Sequence, residues 1–160
     1  NPMHIVAGRI KPGDQTVSDA KAKQLKNYRL AHGDVVMGRR GEMGRCAIVL
    51  DVEVGMLCGT GSLFVRPVAD EFTSLFLASM LSNASMKRHL EGLSQGVTMP
   101  NLNRTMIEKL RVPMPPLDLQ HRFARIVESV ERQKARLRGH LADLDALFAS
   151  LQHRAFRGEL

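Results

Sequence analysis

The sequence predicts an α+β head followed by one long C-terminal helix, and three patterns carry that prediction. After Val112-Pro113-Met114-Pro115-Pro116 no proline recurs, and the only later glycines are Gly139 and Gly158. In that tail Leu119, Phe123, Ile126, Val130, Leu137, Leu141, Leu144, Phe148, Leu151 and Ala155 follow one another mostly at steps of four and three, the spacing of one helical face. Upstream, short apolar runs alternate with glycine-bearing polar loops between 35 and 65, and a helical period appears from 70 to 90.

Taken in order, His4-Ile5-Val6-Ala7-Gly8-Arg9-Ile10 reads as a strand with a turn, and Pro12-Gly13-Asp14 separates it from a charged stretch. Val35-Val36-Met37 and Cys46-Ala47-Ile48-Val49-Leu50 flank the loop Gly38-Arg39-Arg40-Gly41-Glu42-Met43-Gly44, as in a β-hairpin. Met56-Leu57-Cys58 and Leu63-Phe64-Val65 repeat the pattern around Gly59-Thr60-Gly61-Ser62. Asp70 suits a helix N-cap, with Phe72, Leu75, Phe76 and Met80 on one face, and the helix is expected to reach about Asn83. A second short helix through Met86 and Leu90 ends before Gly92. The stretch from Gln95 to Asn103 is turn-rich, Thr105 to Leu110 forms a short helix, and Leu110-Arg111-Val112-Pro113-Met114 makes an edge strand.

The domain division expected is a head over 1–114 and a helix over 115–160, with the head truncated at its N-terminal side because Asn1 opens in what reads as mid-domain. A helix of ~38 residues at ~1.5 Å each reaches ~57 Å, more than a head of this size can cover. Part of its stripe therefore calls for another helix, from a second copy or a different chain. The competing reading is a two-helix hairpin broken near Gly139. The seam slips once between Gln133 and Leu141, which predicts one irregular turn there. Gln133 either fixes pairing register or lies at the slip facing water.

The net charge is +7, and +4 of it lies in residues 1–66. That concentration favours a polyanionic partner such as nucleic acid. With 4% aromatic residues and no tryptophan, the core must be built from Leu, Val, Ile and Met. Cys46 and Cys58 make neither a disulfide framework nor a four-ligand zinc site, and a reduced, cytoplasmic setting is expected. No apolar run approaches the ~18 residues of a membrane span.

Four stretches then fall into a recognisable series. They are Gly33-Asp34-Val35-Val36; Gly38-Arg39-Arg40-Gly41 with Gly44-Arg45; Gly96-Val97-Thr98-Met99-Pro100-Asn101-Leu102-Asn103; and Val112-Pro113-Met114-Pro115-Pro116-Leu117-Asp118-Leu119-Gln120. In this order they resemble the DNA-specificity subunit of type I restriction-modification systems, and the closing Ala155-Phe156-Arg157-Gly158-Glu159-Leu160 is similar to the end of a repeat in that family. The resemblance runs from about Arg29 to the end. It implies a target-recognition domain with an irregular, curved sheet, followed by a coiled-coil-forming helix. It also implies double-stranded DNA, methyltransferase and restriction subunits, and a second specificity half as partners. Two readers held apart by ~57 Å of helix would meet DNA ~17 base pairs apart.

Base readout needs donors and acceptors, whereas phosphate contact needs mainly charge. Arg39, Arg40 and Arg45 sit on or beside a glycine loop that can bring guanidinium groups forward; the competing reading is a solvated or Glu42-paired set. Lys11, Lys21, Lys23, Lys26 and Arg29 form a phosphate-contact group or simply a solvated surface. Asn101, Asn103 and Arg104 offer an adenine-reading amide and a cation. The family shares that stretch while its members read different sequences, which favours a structural turn with Asn103 as N-cap.

No catalytic, metal or cofactor site is expected. Gly59-Thr60-Gly61 lacks the rest of a dinucleotide fingerprint, Asp51 and Glu53 have no lysine at nuclease spacing, and His32, His89, His121, His140 and His153 are scattered. The leading expectation is a non-catalytic specificity subunit or half-subunit. The alternatives are a recognition domain cut from a longer fused enzyme, and a helical adaptor without DNA selectivity.

Overall fold

The structure, a computed structural model, describes residues 1–41, 43–93 and 101–159. The chain divides by its contacts into one unit over Asn1–Gln120 and a second over His121–Leu160. In chain order the first unit holds β1 (Ile5–Val6), β2 (Arg9–Ile10), α1 (Asp19–Gln24), β3 (Val35–Gly38), β4 (Cys46–Ile48), β5 (Ser62–Val65), α2 (Ser74–Ser82), α3 (Ala84–Leu93) and α4 (Arg104–Glu108). The last helix, α5 (Leu117–Phe156), begins within it.

Strand β3 is central in an antiparallel sheet of order β4-β3-β5, while β1 and β2 form a separate hairpin. The register aligns Val35 with Ile48 and Val65, Val36 with Ala47 and Phe64, and Met37 with Cys46 and Leu63. Because successive residues of a strand face opposite ways, the first and third rows share one face and the middle row takes the other. One face packs with Leu77, Ala78, Met80, Leu81 and Leu90 of α2 and α3, and with Leu102. The other packs with Ile5, Leu30 and Val49. Every residue of β3 is buried, as a strand covered on both faces requires.

Two buried polar side chains tie this core to its connections. Asp34, fully buried, accepts from the Ala31 amide at 2.8 Å and takes a two-pronged contact from Arg66, Nε to Oδ1 at 2.7 Å and Nη2 to Oδ2 at 2.8 Å. The Arg66 guanidinium also lies 5.5 Å from the centre of the Phe64 ring, and its pKa is raised first by the hydrogen bond to Asp34. Gly33, at φ +81°, supplies the left-handed turn into β3 and accepts from the Ser74 hydroxyl at 2.7 Å.

Gln120, on the first turn of α5, is also fully buried. Its Oε1 accepts from the Thr73 amide at 2.8 Å, and its Nε2 donates to the carbonyls of Glu71 at 2.7 Å and Pro115 at 2.9 Å. The amide thus uses both ends to satisfy backbone groups just before α2 and just before α5.

Several expectations need correction. Residues 110–114 form no strand: prolines at 113, 115 and 116 remove ladder donors, and Leu110 and Val112 instead pack on the core from an irregular segment. Met56-Leu57-Cys58 does not pair with 63–65. Met56 accepts from the Leu30 amide and Cys58 donates to Tyr28, leaving β5 to pair with β3. The cap of α2 is Thr73, whose Oγ1 accepts from the Phe76 amide at 3.3 Å, while Asp70 lies in a preceding turn. Phe72 stacks near Phe76, with ring centres 6.3 Å apart, fixing the entry to the helix. Helix α3 passes through Gly92 rather than stopping before it. Asn83 supplies its start, accepting from the Met86 amide at 2.8 Å.

The second unit is the remainder of α5. The helix runs from Leu117 to Phe156, 40 residues, with neither a hairpin at Gly139 nor an irregular turn between 133 and 141. The reason lies in the stripe itself. With Gln133 included, it takes ten steps over the 36 residues from Leu119 to Ala155, a period of 3.6, so the slip keeps the stripe straight on an undistorted helix. Beyond Phe156 the helix is closed by Gly158, φ +72°, with the Glu159 amide donating to Arg154 and the Gly158 amide to Ala155.

Gln120→Ala is expected to destabilise the first unit by about 2–4 kcal/mol, because it takes the partner from three backbone groups and opens a cavity where a fully buried side chain stood. Gln120→Glu, which loses the two donors, should also lower the urea midpoint. A midpoint equal to wild type for both variants would show that water replaces the amide.

Candidate nucleic-acid interface

The loop between β3 and β4 is fixed at its start from two sides. The Arg39 amide donates to Gly61 at 3.1 Å, and the Arg39 carbonyl accepts from Leu102 at 2.9 Å. Arg40 and Asn101 form an isolated antiparallel bridge. Leu102 is fully buried and Asn103 caps α4, its Oδ1 accepting from the Met106 amide at 2.9 Å, so the 101–103 segment is itself anchored. At the far end Gly38 donates to the Arg45 carbonyl at 3.0 Å, and Gly41 and Gly44 take φ of +70° and +75°.

This clamp brings together three of the candidate residues. Asn101 Oδ1 accepts from Arg39 Nε at 2.9 Å and from Arg40 Nε at a longer 3.4 Å. Arg39 is half-buried and Arg40 exposed. Two cations converge on one neutral oxygen, an arrangement whose mutual repulsion is about 1 kcal/mol at ~4 Å in water and grows where water is excluded. An incoming anion or electron-rich edge relieves it.

The other candidates are placed elsewhere. Arg45 is half-buried at the loop's end. Arg104 donates through Nε to Glu108 at 2.6 Å within α4, and that hydrogen bond raises its pKa. Lys21 and Lys23 lie on α1, Lys26 on a single 3-10 turn, Lys11 after β2 and Arg29 before β3, all exposed. Among the described residues, no hydrogen bond or ion pair links Lys11, Lys21, Lys23, Lys26 or Arg29 to the Arg39–Arg40–Asn101 cluster. The Glu42 partnership and the Gly96–Pro100 turn fall outside the described residues.

Asp34 and Arg66 form an ion pair at the other end of β3, and no residue pattern singles out the two together. The available signal was the Gly33-Asp34 pair before an apolar run, a position where a carboxylate must be either solvated or paired. The cysteines are free; burial pushes the Cys46 thiol up to about 12 and raises that of Cys58, so neither has the ready thiolate of a nucleophile. Among the described residues, no group of three or more His, Cys, Asp or Glu side chains is placed to hold a metal ion, and no helix is long and apolar enough to cross a membrane.

A short-stranded α+β head leading into one long helix, with a basic loop pinned at the sheet's end, defines the class of protein. The model of the type I restriction modification DNA specificity domain matches residues 5–143, and the chain belongs to that family. Similar curated proteins include a putative type I restriction enzyme MjaX specificity subunit from Methanocaldococcus jannaschii, 25% identical over 119 residues and covering 72% of this chain. Another is the type I restriction enzyme EcoBI specificity subunit from Escherichia coli, 28% identical over 144 residues and covering 86% of it. The chain spans 28% and 30% of those two proteins' lengths. A chain from a solved structure described as showing complex assembly and conformational transition of the type I R-M system shares the fold, with a TM-score of 0.58, 23% identity and coverage of 82% of this chain and 32% of its own.

The loop's geometry separates its two outer glycines. Gly41→Ala meets open space and should cost about 1–2 kcal/mol for the left-handed backbone alone. Gly44→Ala adds a Cβ 3.3 Å from Lys87 Cβ and 3.4 Å from the Leu81 carbonyl, so its loss by urea unfolding should be the larger. Equal losses would mean that α2 and α3 yield freely to the loop.

Proposed function

We propose that this chain is a DNA-specificity subunit or half-subunit of a type I restriction-modification system. The head reads one half of a bipartite target in double-stranded DNA, and methyltransferase and restriction subunits, acting in the cytoplasm, supply the catalysis. Family membership over residues 5–143 carries the reading. The geometry supports it with the arginine pair, which offers two guanidinium groups from a fixed backbone. Lys11, Lys21, Lys23, Lys26 and Arg29 serve as a salt-sensitive phosphate-contact group.

The helix supports a second half. Leu119, Ile126, Val130, Leu137, Leu141, Leu144, Phe148 and Leu151 are each at least 40% exposed. Such a stripe, continuous with an otherwise charged helix, is stable when a partner helix covers it. The partner favoured here is a second copy. Reading the steps of the stripe from Leu119 to Ala155 gives the same order as reading them backwards, with Leu137 at the centre. A two-fold axis at Leu137 therefore matches Phe123 with Leu151, Ile126 with Phe148, Val130 with Leu144, and Gln133 with Leu141 of an antiparallel copy. At about 1.5 Å per residue the 40-residue helix is ~60 Å long and sets the spacing between two readers.

Wild type is expected to scatter light as twice its 17.8 kDa mass, and Leu144→Asp with Leu151→Asp to return it to a monomer. A wild-type monomer at high micromolar concentration would overturn self-pairing. Arg39→Ala or Arg40→Ala should weaken binding to a selected duplex by about 1–3 kcal/mol. Unchanged affinity in both would remove the loop from the footprint.

A further inference from the structure

We infer that Asn101 is a positioning residue for base reading: its side-chain carbonyl holds Arg39 and Arg40 by their Nε atoms so that their terminal amino groups face guanine end-on. This rests on the DNA-reading function proposed above and names how one part of that site discriminates.

An arginine can approach a two-acceptor edge either side-on, through Nε and one Nη, or end-on, through both Nη atoms. With Nε engaged at 2.9 Å in Arg39 and 3.4 Å in Arg40, the side-on mode is taken up within the protein. The end-on pair remains, and its two parallel donors match the O6 and N7 acceptors of guanine in the major groove. Phosphate contact gains little from such tethering, because it needs charge more than direction. A base contact gains a great deal, since side-chain ordering is completed before DNA arrives.

The backbone around Asn101 supports the same role. Asn101 bridges Arg40, its neighbour Leu102 donates to the Arg39 carbonyl and is fully buried, and Asn103 caps α4. The acceptor is therefore as well fixed as the loop it holds. A neutral acceptor also leaves both positive charges available, which a carboxylate at this position would cancel.

Selection from a random-sequence duplex library, run in parallel for the full chain and for Asn101→Ala, Asn101→Asp, Arg39→Ala and Arg40→Ala, tests this. Wild type should enrich a motif containing guanine, and at least one arginine variant should lose preference at a guanine position. Asn101→Ala should lose preference at that same position and bind the wild-type motif on the order of 10-fold more weakly, the lower range for a lost two-pronged base contact. Its dependence of log K on log salt should be unchanged, since both charges remain; Asn101→Asp should flatten that dependence. Thermal unfolding is followed for every variant. An Asn101→Ala protein that enriches the wild-type motif at wild-type affinity overturns the inference and leaves the DNA-reading function standing. Uniform weakening at all positions together with a lowered melting temperature also overturns it, assigning Asn101 to structure alone. A wild type that enriches no motif overturns both the inference and the function on which it rests.

Discussion

The buried amide of Gln120 is the constraint on which the end of the head depends. Three prolines between 113 and 116 strip the segment before α5 of backbone donors, so no ladder can fix it in place. One side chain substitutes for that ladder. By accepting from Thr73 and donating to Glu71 and Pro115, Gln120 joins the entry of α2 to the entry of α5 through three hydrogen bonds of one fully buried side chain. Asp34 does the same close by, where its carboxylate joins Ala31 and Arg66 across the turn into β3 and the adjoining Gly33 carbonyl accepts from Ser74 at the entry of α2. Both groups are expensive to bury alone and inexpensive to bury paired, and that difference makes the connections specific.

Beyond these two ties, β3 is covered on both faces and carries the arginine loop at its exit. The order β4-β3-β5 places Gly61, just before β5, beside Arg39, and the chain returns after α3 to lay Asn101 and Leu102 on the loop's other side. The site is thus assembled from three stretches far apart in sequence. Its charge comes from one of them and its geometry from the other two.

That division explains what could be read from the sequence. The strands of β3, β4 and β5 were legible because each is an apolar run between glycine-bearing loops, and Asn103 as a helix cap was legible because caps are local. The pairing of β5 with β3 was not, since Met56–Cys58 presents the same local pattern and only the long-range bonds to Leu30 and Tyr28 withdraw it from the sheet. Thr73 rather than Asp70 caps α2, and the backbone between them is engaged from a distance, Gln120 bonding the Thr73 amide and the Glu71 carbonyl, a tertiary contact invisible to propensity. Arg39 and Arg40 were identifiable by type and by their glycine frame. Their convergence on Asn101, over sixty positions later, was not.

The straightness of the α5 stripe has a mechanical meaning. A strict heptad stripe drifts about 20° per seven residues on an undistorted helix, so over the span from Leu119 to Ala155 it would wind roughly 100° around the cylinder. The stripe observed here returns to its starting azimuth after ten whole turns. Whatever lies along it transmits distance without torque: a partner helix can be longer or shorter in contact without rotating one end against the other. For a device that must hold two points apart at a set angular phase, as any object spanning two faces of a double helix must, a rod without twist keeps length and phase independent of each other.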